Sequence, residues 1–213
     1  MDLVEKNIGE YCERYSTPEP ELLKELDRQT HLRTLLPNML SGHLQGAFLS
    51  MVSRMMAPAR ILEIGTFTGY AALCLAEGLT DDGILHTIEV NEEMEPIIQE
   101  FFNKSLLRNK LRLHIGDAKT IIPALNESFD IVFIDAAKLE YAQYYDLVFP
   151  FVTKGGYIIA DNVLWSGKVT AEKHDKDTAA IHAFNQKVLN DARTESFILP
   201  LRDGLNIVRK ISD

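Results

Sequence analysis

Strands alternating with helices over residues 60–213 predict an α/β fold with a mainly parallel sheet, preceded by a helical segment and closed by an antiparallel hairpin. Three observations carry that prediction. Short apolar runs recur, and each stops on an acid or amide. Apolar residues at helical spacing fill the intervals between them. Two alternating runs flank Asp203-Gly204 near the end of the chain, a strong hairpin signal.

Taken in order, residues 3–58 read as helical, with a break at Pro37. Thr17-Pro-Glu-Pro followed by Glu21-Leu-Leu-Lys-Glu-Leu predicts a helix start with proline in the first turn and acids at its positive end. Ser41 is placed to cap the next helix, or equally to face a ligand. This front needs a sheet to cover its apolar face. The chain therefore reads as one domain, with residues 1–58 a helical extension and 59–213 the core. Arg60–Ile64 predicts a buried strand, Gly65 and Gly69 a tight turn, and Tyr70 onward a helix. Ile84–Glu89 is the second strand, after which Asn91 caps a helix with Glu92, Glu93 and Glu95 in its first turn. Leu111–Ile115 ends at Gly116-Asp117-Ala118, Phe129–Ile134 at Asp135, and Gly156–Ala160 at Asp161-Asn162. A helix over Asp175–Asp191 precedes the hairpin strands Ser196–Leu201 and Leu205–Ile211.

Composition excludes several function classes. The net charge is −9 with basic residues scattered, a surface that repels phosphate backbones. The opening Met-Asp-Leu-Val-Glu has no basic leader or apolar core, and runs such as Ala71–Ala76 are too short to span a bilayer, so a cytoplasmic location is expected. Cys12 and Cys74 show no metal spacing and are expected as small buried hydrophobes on helices.

In open sheets of this kind ligands bind beyond the carboxyl ends of the strands. That edge should collect Glu63, Glu89, Asp117, Asp135, Asp161 and Asn162. The turn Gly65–Gly69 has Gly-x-x-x-Gly spacing, not the dinucleotide fingerprint, and Glu63 beside it favours a cationic or hydroxyl-rich ligand over a phosphate. Glu89, 24 residues beyond Gly65, can accept both hydroxyls of a ribose or serve the following helix start. Asp135 and Lys138 share one side of a helical turn, as a local ion pair or as working groups. Asp161-Asn162 ends the next strand, as a turn pair or beside Asp135. Two carboxylates and an amide oxygen suit Mg²⁺, Ca²⁺ or Mn²⁺ rather than zinc. His43 reads as a helix-surface or capping residue. Trp165 could wall a flat substrate or pack at the rim, and Tyr144 could face the same edge.

Assembled in this order, the residues resemble the cation-dependent class I O-methyltransferases, the caffeoyl-CoA and catechol O-methyltransferase-like group that uses S-adenosylmethionine. The resemblance runs from about Met39 to Lys210. It is densest in Leu62-Glu-Ile-Gly-Thr-Phe-Thr-Gly-Tyr70, in Phe129-Asp-Ile-Val-Phe-Ile-Asp-Ala-Ala-Lys138, and in Gly155-Gly-Tyr-Ile-Ile-Ala-Asp-Asn-Val-Leu-Trp-Ser-Gly167. It implies a Rossmann-like methyltransferase sheet of seven strands with the methyl donor along its carboxyl edge. Glu63, Gly65, Thr66 and Gly69, with Tyr70 and Ala71, would line the methionine end, and Ser41 would close over it. Glu89 would hold the ribose, Asp117 and Ala118 would border the adenine, and Tyr144 matches a cofactor-side tyrosine. Asp135, Asp161 and Asn162 match the metal ligands, Asp135 also touching the cofactor, and Lys138 matches the general base. The implied reaction is methyl transfer to a hydroxyl of a small catechol-type acceptor, with Mg²⁺ first among the cations and a homodimer as the assembly. Departures occur at Ala137, where plant enzymes carry an acid, at Ala71, where serine is usual, and at Ser166, where plants carry asparagine. A hydroxyuridine-type transfer-RNA O-methyltransferase, a nicotinamide-dependent oxidoreductase and a catalytically silent adenosyl-ligand binder are the alternatives. The acidic surface, the glycine spacing and the retained Lys138 speak against them in turn.

Overall fold

The computed structural model describes residues 4–213, so the helical reading of Leu3 lies outside the described residues. The helical front breaks before the Thr17-Pro-Glu-Pro helix start and around Pro37, as its sequence suggests. It comprises α1 (Lys6–Arg14), α2 (Glu21–Arg33), a short 3₁₀ turn over Pro37–Met39, and α3 (His43–Met56). Pro20 occupies the N-cap of α2 rather than its first turn. Ser41 is not a cap either: Gly42 takes that position in front of α3 at φ +74°, a conformation glycine adopts without cost. No described residue of α1 is buried, and Cys12 on it is exposed, contrary to expectation; Cys74 is buried as expected.

The core strands are β1 (Arg60–Ile64), β2 (Ile84–Glu89), β3 (Leu111–Ile115), β4 (Phe129–Ile134), β5 (Val152–Ala160), β6 (Thr194–Leu199) and β7 (Leu205–Lys210). They form one seven-stranded sheet in the order β3-β2-β1-β4-β5-β7-β6. The first five are parallel, and β7 runs antiparallel to both β5 and β6. Two hairpin details differ from expectation. Pro200 has no N–H to donate to a ladder, so β6 stops at Leu199 and residues 200–204 form the tip. The fifth strand starts four residues early at Val152, because Gly155, at φ +87°, carries the strand through an irregularity rather than opening it.

Side chains alternate faces along each strand, which splits the core in two. Ile61, Ile131 and Phe133 pack under α2, α3, α4 (Tyr70–Ala76) and α5 (Glu95–Lys104). Leu62, Val132 and Ile134 pack under α6 (Ala118–Leu125), α7 (Tyr141–Val148) and α8 (Lys176–Leu189). With both faces covered, the parallel strands read as continuous apolar runs, which is why they were visible in the sequence. Strand order reverses between β1 and β4, and this switch point places the ligand crevice. No helix among the described residues is long and apolar enough to cross a membrane.

Candidate active site at the carboxyl edge of the sheet

The β1–α4 turn is shaped by backbone. Gly65 stands at φ +96°, and a Cβ there would lie 1.9 Å from the Asp135 carbonyl oxygen. The close approach follows from register, since Gly65 N–H donates to Ile88 O and Asp135 N–H to Ile64 O, each at 2.9 Å. Gly69, at φ +93°, leaves room for the Phe102 ring, which a Cβ would meet at 2.8 Å. Between them Phe67 holds φ +51°, a strained conformation for a non-glycine residue. The helical front leans on this turn. Thr30 donates to the Thr68 hydroxyl at 3.0 Å, and the Tyr70 hydroxyl donates to Glu19.

A cleft opens beyond the turn. Its wall combines Met39, Leu40 and Ser41 with Gly65–Thr68, Tyr70, Ala71, Phe133 and Asp135. Of the residues singled out in the sequence, Ser41, Gly65, Thr66, Tyr70, Ala71 and Asp135 thus come together. Glu63, Gly69, Glu89, Asp117, Ala118 and Tyr144 lie outside this wall.

Glu63 sits fully buried behind the turn. Burial raises its carboxyl to about 8 against the opposing Thr87 hydroxyl, with help from the charges of Asp135 and Glu89. One of its oxygens accepts from Thr87, and the other has no partner. A buried acceptor without a donor fits a ligand that brings one, such as an ammonium group or an ordered water. Glu89 at the end of β2 accepts from Phe67 N–H at 2.7 Å and Asn91 N–H at 2.8 Å, so it braces the turn. Each of its oxygens keeps a lone pair for a further donor. Asp117 caps α6 by accepting from Lys119 N–H at 2.9 Å, with buried Ala118 beside it. Tyr144 donates to Glu140 at 2.6 Å, and Lys119 binds the same carboxylate at 2.7 Å, which joins α6 to α7.

The second half of the edge is built from charge. The Ile134–Ala160 register brings Asp135 and Asp161 to the tips of adjacent strands. Asp161 is buried, and its oxygens accept from Asn162 N–H and Gln45 Nε2, each at 2.6 Å. Burial, then the Asp135 charge, pushes its carboxyl up to about 7. Lys138 Nζ donates to Asp135 at 2.8 Å and to the Tyr141 hydroxyl at 2.5 Å; Tyr141 in turn donates to the Asp161 carbonyl at 2.9 Å. Burial pulls the Lys138 ammonium down, but Tyr141 and Asp135 outweigh it and its pKa is raised. That shift keeps Lys138 in the ammonium form, paired with Asp135.

Among the described residues no three His, Cys, Asp or Glu side chains form a metal cluster. Two carboxylates crowded at one edge, with an amide beside them, are a donor set that fits a hard divalent cation. Reasoning from sequence missed Gln45 and Tyr141. A lone glutamine among the apolar residues of α3 was the available signal for the first; for the second it was three-residue spacing from Lys138. His43 has a structural role, its Nε2 lying 2.8 Å from Thr17 O. Trp165 packs against the core under α8.

Fold and edge chemistry together define a Rossmann-like α/β transferase of the methyltransferase class. Residues 13–211 match the O-methyltransferase family. Caffeoyl-CoA O-methyltransferase 2 of Petunia hybrida is 32% identical over 207 residues, covering 91% of this chain and 85% of its own. Among solved structures, the Podospora anserina methyltransferase PaMTH1 bound to SAH superposes with a TM-score of 0.88 at 29% identity, covering 97% of this chain and 94% of that one. The O-methyltransferase TomG of Streptomyces achromogenes, in complex with SAM and involved in tomaymycin synthesis, reaches a TM-score of 0.90 at 26% identity over 99% of this chain and 100% of its own. The chain belongs to the O-methyltransferase family, and it is an S-adenosylmethionine-dependent enzyme.

Proposed function

We propose that the enzyme methylates one hydroxyl of a small vicinal-diol or catechol-type acceptor, with a divalent cation held by Asp135, Asp161 and Asn162. The observation that carries this reading is the strand register that sets buried Asp161 at the tip next to Asp135. Two like charges at neighbouring strand tips resist joint ionisation unless a cation accompanies them. Mg²⁺, or alternatively Mn²⁺ or Ca²⁺, would supply Lewis-acid stabilisation of the acceptor oxyanion when bound.

The chain's own residues supply the rest. Ser41, Gly65, Thr66, Tyr70 and Ala71 hold the methionine end of the donor, with Glu63 and Gly69 supporting the turn from behind. Glu89 takes the ribose, while Asp117, Ala118 and Tyr144 border the adenine. These contacts fix donor and acceptor in line, and orientation of this kind removes much of the barrier. The acceptor oxygen bonds to the methyl carbon as the carbon–sulfur bond breaks, and sulfur keeps the electron pair. The hydroxyl proton passes to Lys138 Nζ. A phenol of pKa about 10 is a poor nucleophile at pH 7, so this proton transfer matters to rate. Lys138 Nζ must first give up a proton to solvent, because the ammonium paired with the Asp135 carboxylate has no lone pair to offer.

Transfer of labelled methyl to a panel of vicinal diphenols is expected with Mg²⁺, is lost in EDTA, and returns on adding the ion back. Undiminished turnover in EDTA removes the cation from the reading. Silence across the panel removes the acceptor class. The front also exposes Ile8, Tyr11, Leu32, Leu35, Met51 and Met55, which supports pairing of two copies. A sedimenting species of 24.1 kDa alone would reject that pairing.

A further inference from the structure

The tip of the β6–β7 hairpin touches neither reactant in the scheme above, yet it grips both sides of the edge. Arg202 Nη1 donates to Leu40 O at 2.7 Å and also to Ser41 O. Those are two of the residues that the helical front contributes to the cleft wall. The adjoining Asp203 takes hold of the opposite loop. Its carboxylate accepts from Ser166 N–H at 2.5 Å and its carbonyl from Leu164 N–H at 2.9 Å. Gly204 O accepts from Val163 N–H at 3.1 Å. The loop so held runs directly from Asp161-Asn162. Its backbone is also unusual, since Trp165, Ser166 and Gly167 all have positive φ. Local sequence does not secure such a run, so an external tether has a physical purpose.

We infer that Arg202 and Asp203 form a strap joining the segment over the methyl donor to the loop beside the acid pair, so that filling the donor cleft orders the acceptor side. The strap rests on the donor lying against Leu40 and Ser41. The two attachments differ in kind. Arg202 is exposed and holds two carbonyls through a long side chain, whereas Asp203 and Gly204 hold their loop largely through backbone. The Arg202 side is therefore the one to release, and its contribution should be moderate.

Arg202 itself stands at φ +50°, a conformation glycine prefers. Arg202→Gly therefore removes the side chain while relieving the backbone, and it should not destabilise the hairpin. Calorimetric titration with S-adenosylhomocysteine should show affinity weakened roughly threefold to tenfold, the scale of one lost solvent-accessible hydrogen bond. Hydrogen exchange on the full chain gives the second readout. In the wild type the same ligand should protect both residues 39–45 and residues 163–169. In Arg202→Gly the protection at 163–169 should vanish while that at 65–71 remains. Arg202→Lys, which keeps the charge on a single donor nitrogen, should fall between. Wild-type affinity together with undiminished protection at 163–169 in Arg202→Gly would overturn the strap. A wild type that binds the ligand without protecting 39–45 would instead overturn the donor's placement, and the strap with it.

Discussion

The two halves of the carboxyl edge are built on different principles. At the β1–α4 turn, function depends on where the backbone can go: Gly65 and Gly69 have no room for a methyl group, and Phe67 is held in a strained conformation. At the tips of β4 and β5 the backbone is ordinary up to Asp161, and the site depends on which charges are buried side by side. A shape-limited site should fail through folding and binding together. A charge-limited site should fail through chemistry while the fold survives.

Gly65→Ala is the severest way to break that contrast. Its Cβ would have to displace the Asp135 carbonyl, so a loss of at least about 3 kcal/mol and of S-adenosylhomocysteine binding is expected, read by thermal melting and calorimetry. A stable variant that binds normally would mean the turn is not shape-limited. Lys138→Ala comes next. It should leave S-adenosylhomocysteine binding nearly unchanged while lowering turnover by roughly 10²- to 10⁴-fold, the range for a lost general base. Full turnover would remove Lys138 from proton transfer. Gln45→Leu tests the support beneath the charge. Without the amide on Asp161, Mn²⁺ affinity should drop by about 10- to 100-fold with S-adenosylhomocysteine affinity intact, since outer partners of ligands act on this scale. Equal Mn²⁺ binding in variant and wild type would leave Gln45 a packing residue.

The smallest effect is a pH slope. Glu63 rises from 4.5 to about 8 and Asp161 from 3.8 to about 7 on folding. Between those values the folded chain binds more protons than the unfolded one, so stability falls as pH rises. Each group contributes a slope of at most about 1.4 kcal/mol per pH unit. Denaturant titrations from pH 4 to 8 without divalent ions should show the fall, and Glu63→Gln should flatten its upper part. Stability that is level or rising across this range would contradict the buried, crowded carboxyls. Saturating Mg²⁺ should offset the Asp161 share alone.

The strands of the parallel sheet were easy to read because burial on both faces makes them apolar throughout, and an acid at the end of such a run marks its tip. The antiparallel hairpin was legible too, though Asp203-Gly204 turned out to close a longer tip that begins at Pro200. The front was harder. Pro20 and Cys12 were misjudged, and Ser41 was left open between cap and cleft, because helix ends and exposure on that face depend on what the helices pack against. Gln45 and Tyr141 escaped notice for a related reason. Glutamine and tyrosine on a helix are ordinary until a distant carboxylate or lysine is brought beside them.

Local sequence by itself determined the strand–turn–helix order, the acids and amide at the strand ends, and the need for glycine where the chain reverses. These follow from periodicity and from the steric freedom of single residues. Tertiary structure alone decided that Asp161 is buried under the Gln45 amide, that Lys138 Nζ bridges Asp135 and Tyr141, and that Arg202 reaches the residues over the cleft. Charge interactions and hydrogen bonds depend on distance in space and on burial, and neither is written in the spacing of residues along a chain.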